Sequence, residues 1–207
     1  QLLNKLTRGD VSQAEIVFPE GWTLAQIRAA LDANEHLRHD STGLDDRLLL
    51  ERLGQTGAAE GRFFPDTYLF AKGSSDLDIL ARSLRQMDRL LQTEWGSRRP
   101  GLPYASPYEA LIMASIVEKE TGQARDRPQI AAVFVNRLRR GMLLQTDPTV
   151  IYGLGARFDG NLRKRDLQTD TPWNTYTRGG LPPTPIAMPG KASLLAAVQP
   201  GQTRALY

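Results

Sequence analysis

The stretch "ASIVEKETG", residues 114 to 122, ends an apolar run with two glutamates one residue apart and a glycine. Glu118 and Glu120 carry the same chemical group, and either carboxyl could donate a proton in a catalytic site. The interpretation of the whole chain therefore depends on where each of these two side chains points.

The stretch is the end of a predicted helix. Ser106 can cap this helix and Pro107 suits its first turn, whereas Gly122 predicts its end. A second helix is predicted from near Pro128 to Gly141, because apolar residues recur there at helical spacing. Since the break between them is short, the two helices predict a helical hairpin.

Helical geometry separates the two glutamates. At about 100° per residue, Glu120 falls within the apolar arc of the first helix, and Glu118 falls at the margin of that arc. A carboxylate on an apolar face either finds a partner or has its pKa raised, because burial penalises the charged form. Glu120 is therefore a candidate general acid. Glu118, at the margin, is expected to face solvent or form a salt bridge. The alternative for Glu120 is that it pairs with an arginine of the second helix.

Outside the hairpin the chain mixes strand and helix signals. Residues 14–31 predict a short strand, a tight turn and a helix capped by Thr23. The aromatic residues 60–70 predict a strand, a turn and a second strand, and residues 74–95 predict an amphipathic helix. Loops and short elements punctuated by prolines are expected after Gly141.

These elements predict an α+β fold. Polar residues and glycines between positions 32 and 58 place a domain boundary near residue 50. We therefore expect a small strand-helix subdomain over residues 1–50 and a mixed α+β domain, which contains the hairpin, over residues 51–207.

Composition narrows the classes of function. The 207 residues are 41% hydrophobic and 24% charged, which is typical of a globular protein, and the absence of cysteine excludes disulfide and thiol chemistry. No apolar run reaches the roughly 18 residues that span a bilayer. The formal charge is only +3, but residues 123–165 hold nine Lys/Arg against three acids. Such a region favours an anionic partner, or else it is a solvated helix face.

Other chemistries have weaker signals. His36 and His39 could share a helical face, but no third metal ligand accompanies them. The stretch "GLGARFDG", residues 153 to 160, lacks the spacing of a dinucleotide-binding loop, and no serine stands in a nucleophile elbow. No nucleic-acid-binding module is recognisable. We therefore expect no metal, no cofactor and no nucleic-acid partner.

Five segments together resemble one family, the endolytic murein transglycosylases of bacterial cell walls, also called the MltG or YceG-like family. The resembling segments occur in the family's order and are "EGRFFPDTY" (60–68), "MASIVEKETG" (113–122), "VFVNRLRRGMLLQTDPTVIYGLG" (133–155), "TPWNTYTRGGLPPTPIAMPG" (171–190) and "SLLAAVQP" (193–200).

This resemblance implies an enzyme of the bacterial cytoplasmic membrane. The expected protein has an N-terminal membrane anchor, absent from this chain, and a catalytic domain that faces the periplasm or cell exterior. Its substrate would be nascent peptidoglycan strands, and its protein partners would be cell-wall synthases. Residues 1–50 are similar to part of a LysM-like subdomain, and residues 51–207 to a catalytic domain that continues, in the family, into a further C-terminal tail.

The resemblance also assigns site residues. The second glutamate of the family's "EKET" motif is regarded as catalytic, and it corresponds to Glu120. The substrate-binding residues implied by the motifs are Gln145, Thr146, Asp147, Asn174, Thr175, Tyr176 and Asp66. Some of these positions have structural alternatives, since Asp147-Pro148 also suits a helix start and Asn174 also suits a turn.

The expected reaction needs one carboxyl group. Glu120 would protonate the oxygen of the β-1,4 bond between N-acetylmuramic acid and N-acetylglucosamine. As a carboxylate it would then take the proton of the muramic acid C6 hydroxyl, which closes on C1 and leaves a 1,6-anhydro end. The alternatives are a hydrolytic muramidase, which normally uses two carboxylates, and a non-catalytic peptidoglycan-binding protein.

Overall fold

A computed structural model describes residues 13–207 of the chain. It contains two strands, β1 and β2, eight α-helices, α1 to α8, and a short 3-10 helix within this range. Their bounds are β1 Gln13–Val17, α1 Leu24–Asp32, α2 Asp46–Arg52, β2 Thr67–Ala71, α3 Asp76–Gly96, α4 Pro107–Glu120, α5 Arg127–Arg139, α6 Asp147–Leu154, the 3-10 helix Gly155–Arg157, α7 Lys164–Gln168 and α8 Lys191–Val198.

The two strands pair with each other in an antiparallel sheet. Gln13 lies opposite Ala71, and Val17 lies opposite Thr67. The prediction of a strand before the turn at Pro65 is therefore wrong, because only the second half of that segment forms a strand. The preceding backbone is held by a helix instead, since the N–H of Phe64 donates to a carbonyl of α3. The mixed α+β class is confirmed.

A first hydrophobic core lies under this sheet. It joins apolar side chains of β1, α1 and α2 to those of β2 and the first half of α3. Phe18 and Phe63 are its largest fully buried side chains. This core and the sheet continue across the predicted boundary near residue 50. The LysM-like character of residues 1–50 stays a prediction, and residues 1–12 lie outside the described part.

A second core surrounds α4. This helix packs against α3, α5, α6 and α8, and its side chains are buried on every face from Ala110 to Val117. The helical hairpin of α4 and α5 is confirmed, and α8 packs against both of its helices. Helix α8 was not predicted, because its short apolar segment stands between prolines. Its central position means that the hairpin is one part of a larger helical packing unit.

Gly61 joins two segments that are distant in the sequence. Its φ of +80° is in the left-handed region, and a Cβ at this position would lie 2.3 Å from Cβ of Pro185. Only glycine meets both requirements. The loop that begins at Glu60 is thereby packed against the proline-rich segment that leads into α8.

None of the helices in residues 13–207 combines the length and the apolar character that crossing a membrane requires.

Candidate functional site

Glu118 is a buried structural carboxylate. Its side chain is 5% exposed and lies 2.8 Å from the guanidinium of Arg127, which is itself 8% exposed. The same carboxylate accepts hydrogen bonds from the Gly190 N–H at 2.9 Å and from the Ser193 hydroxyl at 2.8 Å. Glu118 therefore ties α4 to α5 and to the start of α8. Its hydrogen-bonding capacity is used within the protein, which leaves it unsuited to proton transfer.

Glu20 completes this ionic cluster from the N-terminal side. Its carboxylate lies 3.6 Å from Arg127 and is half-exposed. Partial burial, followed by the nearby charge of Glu118, raises the pKa of Glu20, whereas Arg127 opposes the shift. Gly190 leaves space for Glu20, because a Cβ there would lie 1.8 Å from the carboxylate. The cluster thus fastens the β1–α1 turn to the helices that carry the second core.

Glu120, in contrast, is exposed at the last residue of α4. The prediction that Glu120 faces the core is therefore wrong. Glu118 forms the salt bridge that was one of its two predicted states, but it is buried rather than at the margin of the core. The physical reason is that α4 is enclosed on all sides through Val117, so its apolar residues do not define one buried face. The last turn then leaves the core, and the pairing with an arginine of the next helix is made by Glu118.

The Glu120 carboxylate is oriented by Thr146. The Thr146 hydroxyl donates to Oε2 of Glu120 at 2.8 Å. Thr146 is 2% exposed and is the N-cap residue of α6, so its position is set by the packing of that helix. Within residues 13–207, no donor is bonded to Oε1 of Glu120. This arrangement fixes one carboxyl oxygen and leaves the other for a ligand.

A threonine network holds Thr146. Its N–H donates to Oγ1 of Thr175 at 3.1 Å, and its carbonyl accepts the hydroxyl of Thr149 at 2.7 Å. The hydroxyls of Thr149 and Thr175 lie 2.8 Å apart. All three residues are buried, so the network is shielded from competing water. Thr175, which was predicted to bind substrate, therefore bonds to Thr146 and helps to hold it in place.

Gln145 adopts a strained backbone conformation beside this network. Its φ is +53°, and it is the only non-glycine residue with a positive φ in residues 13–207. Such a conformation costs on the order of 1–3 kcal/mol and is common at functional sites. The Gln145 N–H donates to the Thr175 carbonyl at 3.1 Å, and its side-chain oxygen accepts from Arg137. These bonds hold the exposed Gln145 side chain next to Glu120.

Asp147 and Tyr176 form a second polar pair at the site. The Tyr176 hydroxyl donates to Oδ1 of Asp147 at 2.5 Å. Burial of the phenol raises the pKa of Tyr176 to about 12, and the bond to Asp147 and the charges of Asp147 and Glu120 add to this shift. Tyr176 therefore stays protonated at neutral pH. Asp147 follows Thr146 in the chain, so this pair lies beside the contact between Thr146 and Glu120.

The other two predicted binding residues have different surroundings. Asn174 is fully buried, its amide donates to the carbonyls of Leu167 and Thr169, and its oxygen accepts the Tyr176 N–H. It therefore shapes the loop that carries Tyr176. Asp66 accepts from the Thr67 N–H and from Gln86 of α3, and its contacts lie at the start of β2. The structure does not bring Asp66 to Glu120.

A groove opens beside Glu120. Its volume is about 520 Å³, within the range of ligand sites. One wall is the apolar face of α5, including Val133 and Phe134, and another is the segment from Thr203 to Tyr207. Arg137 holds that segment by donating to the Leu206 carbonyl at 2.9 Å. A single exposed carboxyl group at the edge of such a groove can exchange a proton with a bound ligand.

A second carboxylate, Glu60, was not singled out by sequence reasoning. It is 9% exposed; its Oε1 accepts the N–H of Leu24 at 3.0 Å and its Oε2 accepts the Tyr152 hydroxyl at 3.1 Å. Burial raises the pKa of Glu60 to about 7. Its partners are 36 and 92 residues away in the sequence, so no local pattern could reveal them.

In residues 13–207, acids and histidines form no group of three or more that could hold a metal ion.

Comparisons with known proteins identify the family that the chain resembles. A model of the YceG-like family matches residues 1–207. A protein of Bacillus subtilis (strain 168) named endolytic murein transglycosylase is 36% identical over all of this chain and 62% of its own length. A protein of the same name from Streptococcus pneumoniae serotype 2 (strain D39) is 28% identical, over all of this chain and 43% of its own length. The chain thus spans less than two thirds of these curated relatives.

A solved structure supports the same relationship. The crystal structure of a YceG-like protein from Listeria monocytogenes, at 2.6 Å resolution, superposes with a TM-score of 0.74 at 32% sequence identity. The superposition covers all of this chain and 74% of the other.

Proposed function

The chain belongs to the YceG-like family, and we propose that it is a lytic transglycosylase that cuts peptidoglycan strands internally. The names of the relatives from Bacillus and Streptococcus support this activity. The observation that carries the proposal is the contact between Glu120 and Thr146, at the edge of the groove beside α5. It supplies one oriented, accessible carboxyl group, which is what this reaction requires.

In the proposed reaction Glu120 acts first as an acid and then as a base. Its proton passes to the oxygen of the β-1,4 bond between N-acetylmuramic acid and N-acetylglucosamine, and that bond breaks. The resulting carboxylate removes the proton of the muramic acid C6 hydroxyl, whose oxygen bonds to C1. The product is a 1,6-anhydro end, and the nucleophile is part of the substrate, so no positioned water is needed.

The neighbouring polar groups support this chemistry. The Thr146 hydroxyl keeps the Glu120 carboxyl in one orientation through both proton transfers. Gln145 and Tyr176 present hydrogen-bonding groups beside it, suited to the amide and hydroxyl groups of the sugars. Arg137 is buried and donates to Gln145, so it holds the Gln145 side chain at the site.

A hydrolytic muramidase is the second candidate, and Asp147 is the observation that favours it. Hydrolysis normally uses a second carboxylate, which activates water or attacks the sugar. Asp147 is exposed, bonded to Tyr176, and adjacent in the chain to Thr146, which contacts Glu120. The two reactions give different products, because hydrolysis adds a water molecule to the new end and the lytic reaction does not.

Mass spectrometry of digested peptidoglycan tests the proposal. We expect the wild-type chain to produce muramic ends that are lighter by one water than reducing ends, and the Glu120→Gln variant to produce none. Reducing ends would favour the muramidase. Retained cleavage in the Glu120→Gln variant would remove Glu120 from the mechanism, and binding without any cleavage by the wild type would indicate a peptidoglycan-binding protein.

The location of the protein is also proposed from the family resemblance. We infer a membrane anchor in the full-length protein, a catalytic domain outside the cytoplasm, and cell-wall synthases as partners. Peptidoglycan as substrate requires such a location, because mature strands lie outside the cytoplasmic membrane. Protease accessibility of the full-length protein in spheroplasts tests it, since a domain on the outer side is digested and a cytoplasmic one is protected.

A further inference from the structure

A second groove lies at the opposite end of α6 from Glu120. Its volume is about 770 Å³, and it separates the start of α1 from α6 and the loop after α7. Thr23, Leu24 and Gln26 line one side, and Tyr152 and Trp173 line the other. The groove therefore lies between the N-terminal strand-helix unit and the helices that carry Glu120.

Two aromatic rings form an apolar corner in this groove. The rings of Tyr152 and Trp173 are 5.4 Å apart and inclined at 66°. The indole N–H of Trp173 donates to the Thr184 hydroxyl at 2.9 Å, and the Tyr152 hydroxyl donates to Glu60. Because both polar tips are bonded, the two rings have fixed orientations. Such rings offer a preorganised surface to a ligand and lose little conformational entropy when it binds.

Glu60 connects the two sides of the groove. One of its oxygens accepts the first N–H of α1, from Leu24, and the other accepts the Tyr152 hydroxyl of α6. No cation forms a salt bridge with Glu60 in the part of the chain that the structure describes. The remaining polar groups of the lining include Gln26, Arg28 and Asp46. A mainly apolar pocket with a few fixed polar groups is typical of sites for small polar ligands.

We propose that this groove is a second sugar-binding subsite, which holds an N-acetylated sugar of the glycan strand against Tyr152 and Trp173. The faces of a sugar ring carry C–H groups, which the negative faces of aromatic rings attract, and its hydroxyls can bond to Gln26 and Asp46. Asp147 and Tyr152 are separated by about 8 Å along α6, at 1.5 Å per residue. The two residues are also about 140° apart around the helix, so a strand bound at both sites must cross α6 rather than run straight along it. The inference rests on the proposed function for the identity of the strand.

Nuclear magnetic resonance provides a direct test. The chain has three tryptophans, Trp22, Trp95 and Trp173, each with one indole N–H resonance. In the Glu120→Gln variant, titration with a soluble β-1,4-linked tetramer of N-acetylglucosamine should shift the Trp173 resonance and leave that of Trp95 unchanged. Trp95 lies on α3, outside the groove, and serves as the internal control. A Trp173 resonance that stays fixed at saturating tetramer would overturn the proposal.

Two variants test the role of the ring itself. Trp173→Ala should weaken tetramer binding about tenfold, a loss of about 1.4 kcal/mol, because the aromatic contact with the sugar is removed. Trp173→Phe keeps an aromatic face and should bind within about threefold of the Trp173 form, although it loses the bond to Thr184. Equal tetramer affinity of the Trp173 form, Trp173→Ala and Trp173→Phe, with unchanged melting temperatures, would also overturn the proposal.

The outcomes separate this inference from the proposed reaction. A shift of the Trp173 resonance together with no glycan cleavage by the wild type would support the subsite and contradict the transglycosylase. Cleavage with 1,6-anhydro ends and a fixed Trp173 resonance would support the reaction and contradict the subsite.

Discussion

The Thr146 hydroxyl donates to the Glu120 carboxylate across 2.8 Å, and this bond joins the N-cap of α6 to the last residue of α4. Thr146 is buried and Glu120 is exposed, so the orientation of a solvent-accessible acid is set from inside the protein. Both residues stand at helix ends, and both helices pack against the second core. The side chain of Glu120 therefore has a defined direction although it lies at the end of α4.

Thr146→Val should reduce the rate of glycan cleavage. Valine has the shape of threonine, and the backbone bond from Thr146 to Thr175 remains, so the fold should persist. A hydrogen bond to a charged group contributes about 1.5–3 kcal/mol, which corresponds to a loss in kcat of about tenfold or more. Product release from labelled peptidoglycan measures this rate.

The matched control is Thr42→Val. The Thr42 hydroxyl donates to the Asp32 carboxylate at 3.2 Å, far along the chain from the Glu120 site. This variant loses the same kind of bond and should cleave glycan at the wild-type rate. Equal rates for both variants would show that Thr146 does not orient the catalytic carboxyl group.

Glu118→Gln should lower stability. The substitution leaves the buried guanidinium of Arg127 with only the more distant, half-exposed Glu20 as an ionic partner. Breaking a buried ion pair commonly costs 3–5 kcal/mol, and we expect about 3 kcal/mol in urea unfolding because Glu20 remains. Any loss of glycan cleavage by Glu118→Gln should be proportional to the fraction of that variant that is unfolded. Glu120→Gln should instead lose cleavage without a change in the unfolding midpoint.

An exposed pair is the control for this effect. The carboxylate of Asp170 lies 2.8 Å from the guanidinium of Arg178, and both side chains are more than half exposed. Asp170→Asn removes the same charge as Glu118→Gln, but water replaces the lost partner, so the urea midpoint should hardly change. A midpoint for Glu118→Gln that matches that of Asp170→Asn would contradict the structural role of Glu118.

Local signals in the sequence were sufficient for most of the helices. Helix starts are marked by Thr23 and Ser106, whose side chains accept a backbone hydrogen bond three residues later, and by prolines, whose φ is fixed near the helical value. The structure has these helices where they were predicted. The hairpin of α4 and α5 followed from the same signals. Local chemistry does not determine which elements pair, so the partnership of β1 with β2 was not predicted.

The two glutamates show the limit of a helical wheel. The wheel assumes one buried face, but α4 is buried on all faces through Val117. The direction of its last turn depends on neighbours that come much later in the chain, namely Thr146, Gly190 and Ser193. The family resemblance selected Glu120 without reference to burial. It did not indicate Glu60, whose partners are also distant in the sequence.

Gly61→Ala should disrupt the fold. The left-handed φ of +80° alone costs about 1–2 kcal/mol for an alanine. The new Cβ would also lie 2.3 Å from the rigid ring of Pro185, which would separate the Glu60 loop from the segment before α8. We expect a total loss above about 3 kcal/mol, measured by urea unfolding.

Gly57→Ala isolates the backbone contribution. Gly57 has a φ of +96°, and a Cβ there would meet nothing within 4 Å. Its cost should be about 1–2 kcal/mol, the backbone strain alone. If the two alanine variants were equally stable, close packing between Gly61 and Pro185 would not be needed for the fold.

Glu60 should make stability depend on pH. Its pKa is about 7 in the folded protein and 4.5 in the absence of burial, so the folded state binds more protons between these values. The stabilising effect of protonated Glu60 is complete below about pH 4.5 and is lost as the pH rises through about 7. Since one pKa unit corresponds to about 1.4 kcal/mol, the loss is on the order of 3 kcal/mol.

Glu60→Gln should remove this dependence. A glutamine oxygen can still accept the Leu24 N–H, and its amide can donate to the Tyr152 hydroxyl, which can rotate to accept. The variant should therefore resemble the wild type near pH 4.5 and become progressively more stable than it up to about pH 7, with a constant difference above. Thermal melts of both proteins from pH 4 to pH 8 measure this difference. Only a carboxyl group that gains its charge between about pH 4.5 and pH 7 can make the melting temperatures of the wild type and Glu60→Gln diverge with pH. A constant difference between the two proteins from pH 4 to pH 8 would therefore mean that burial of Glu60 does not oppose its ionisation.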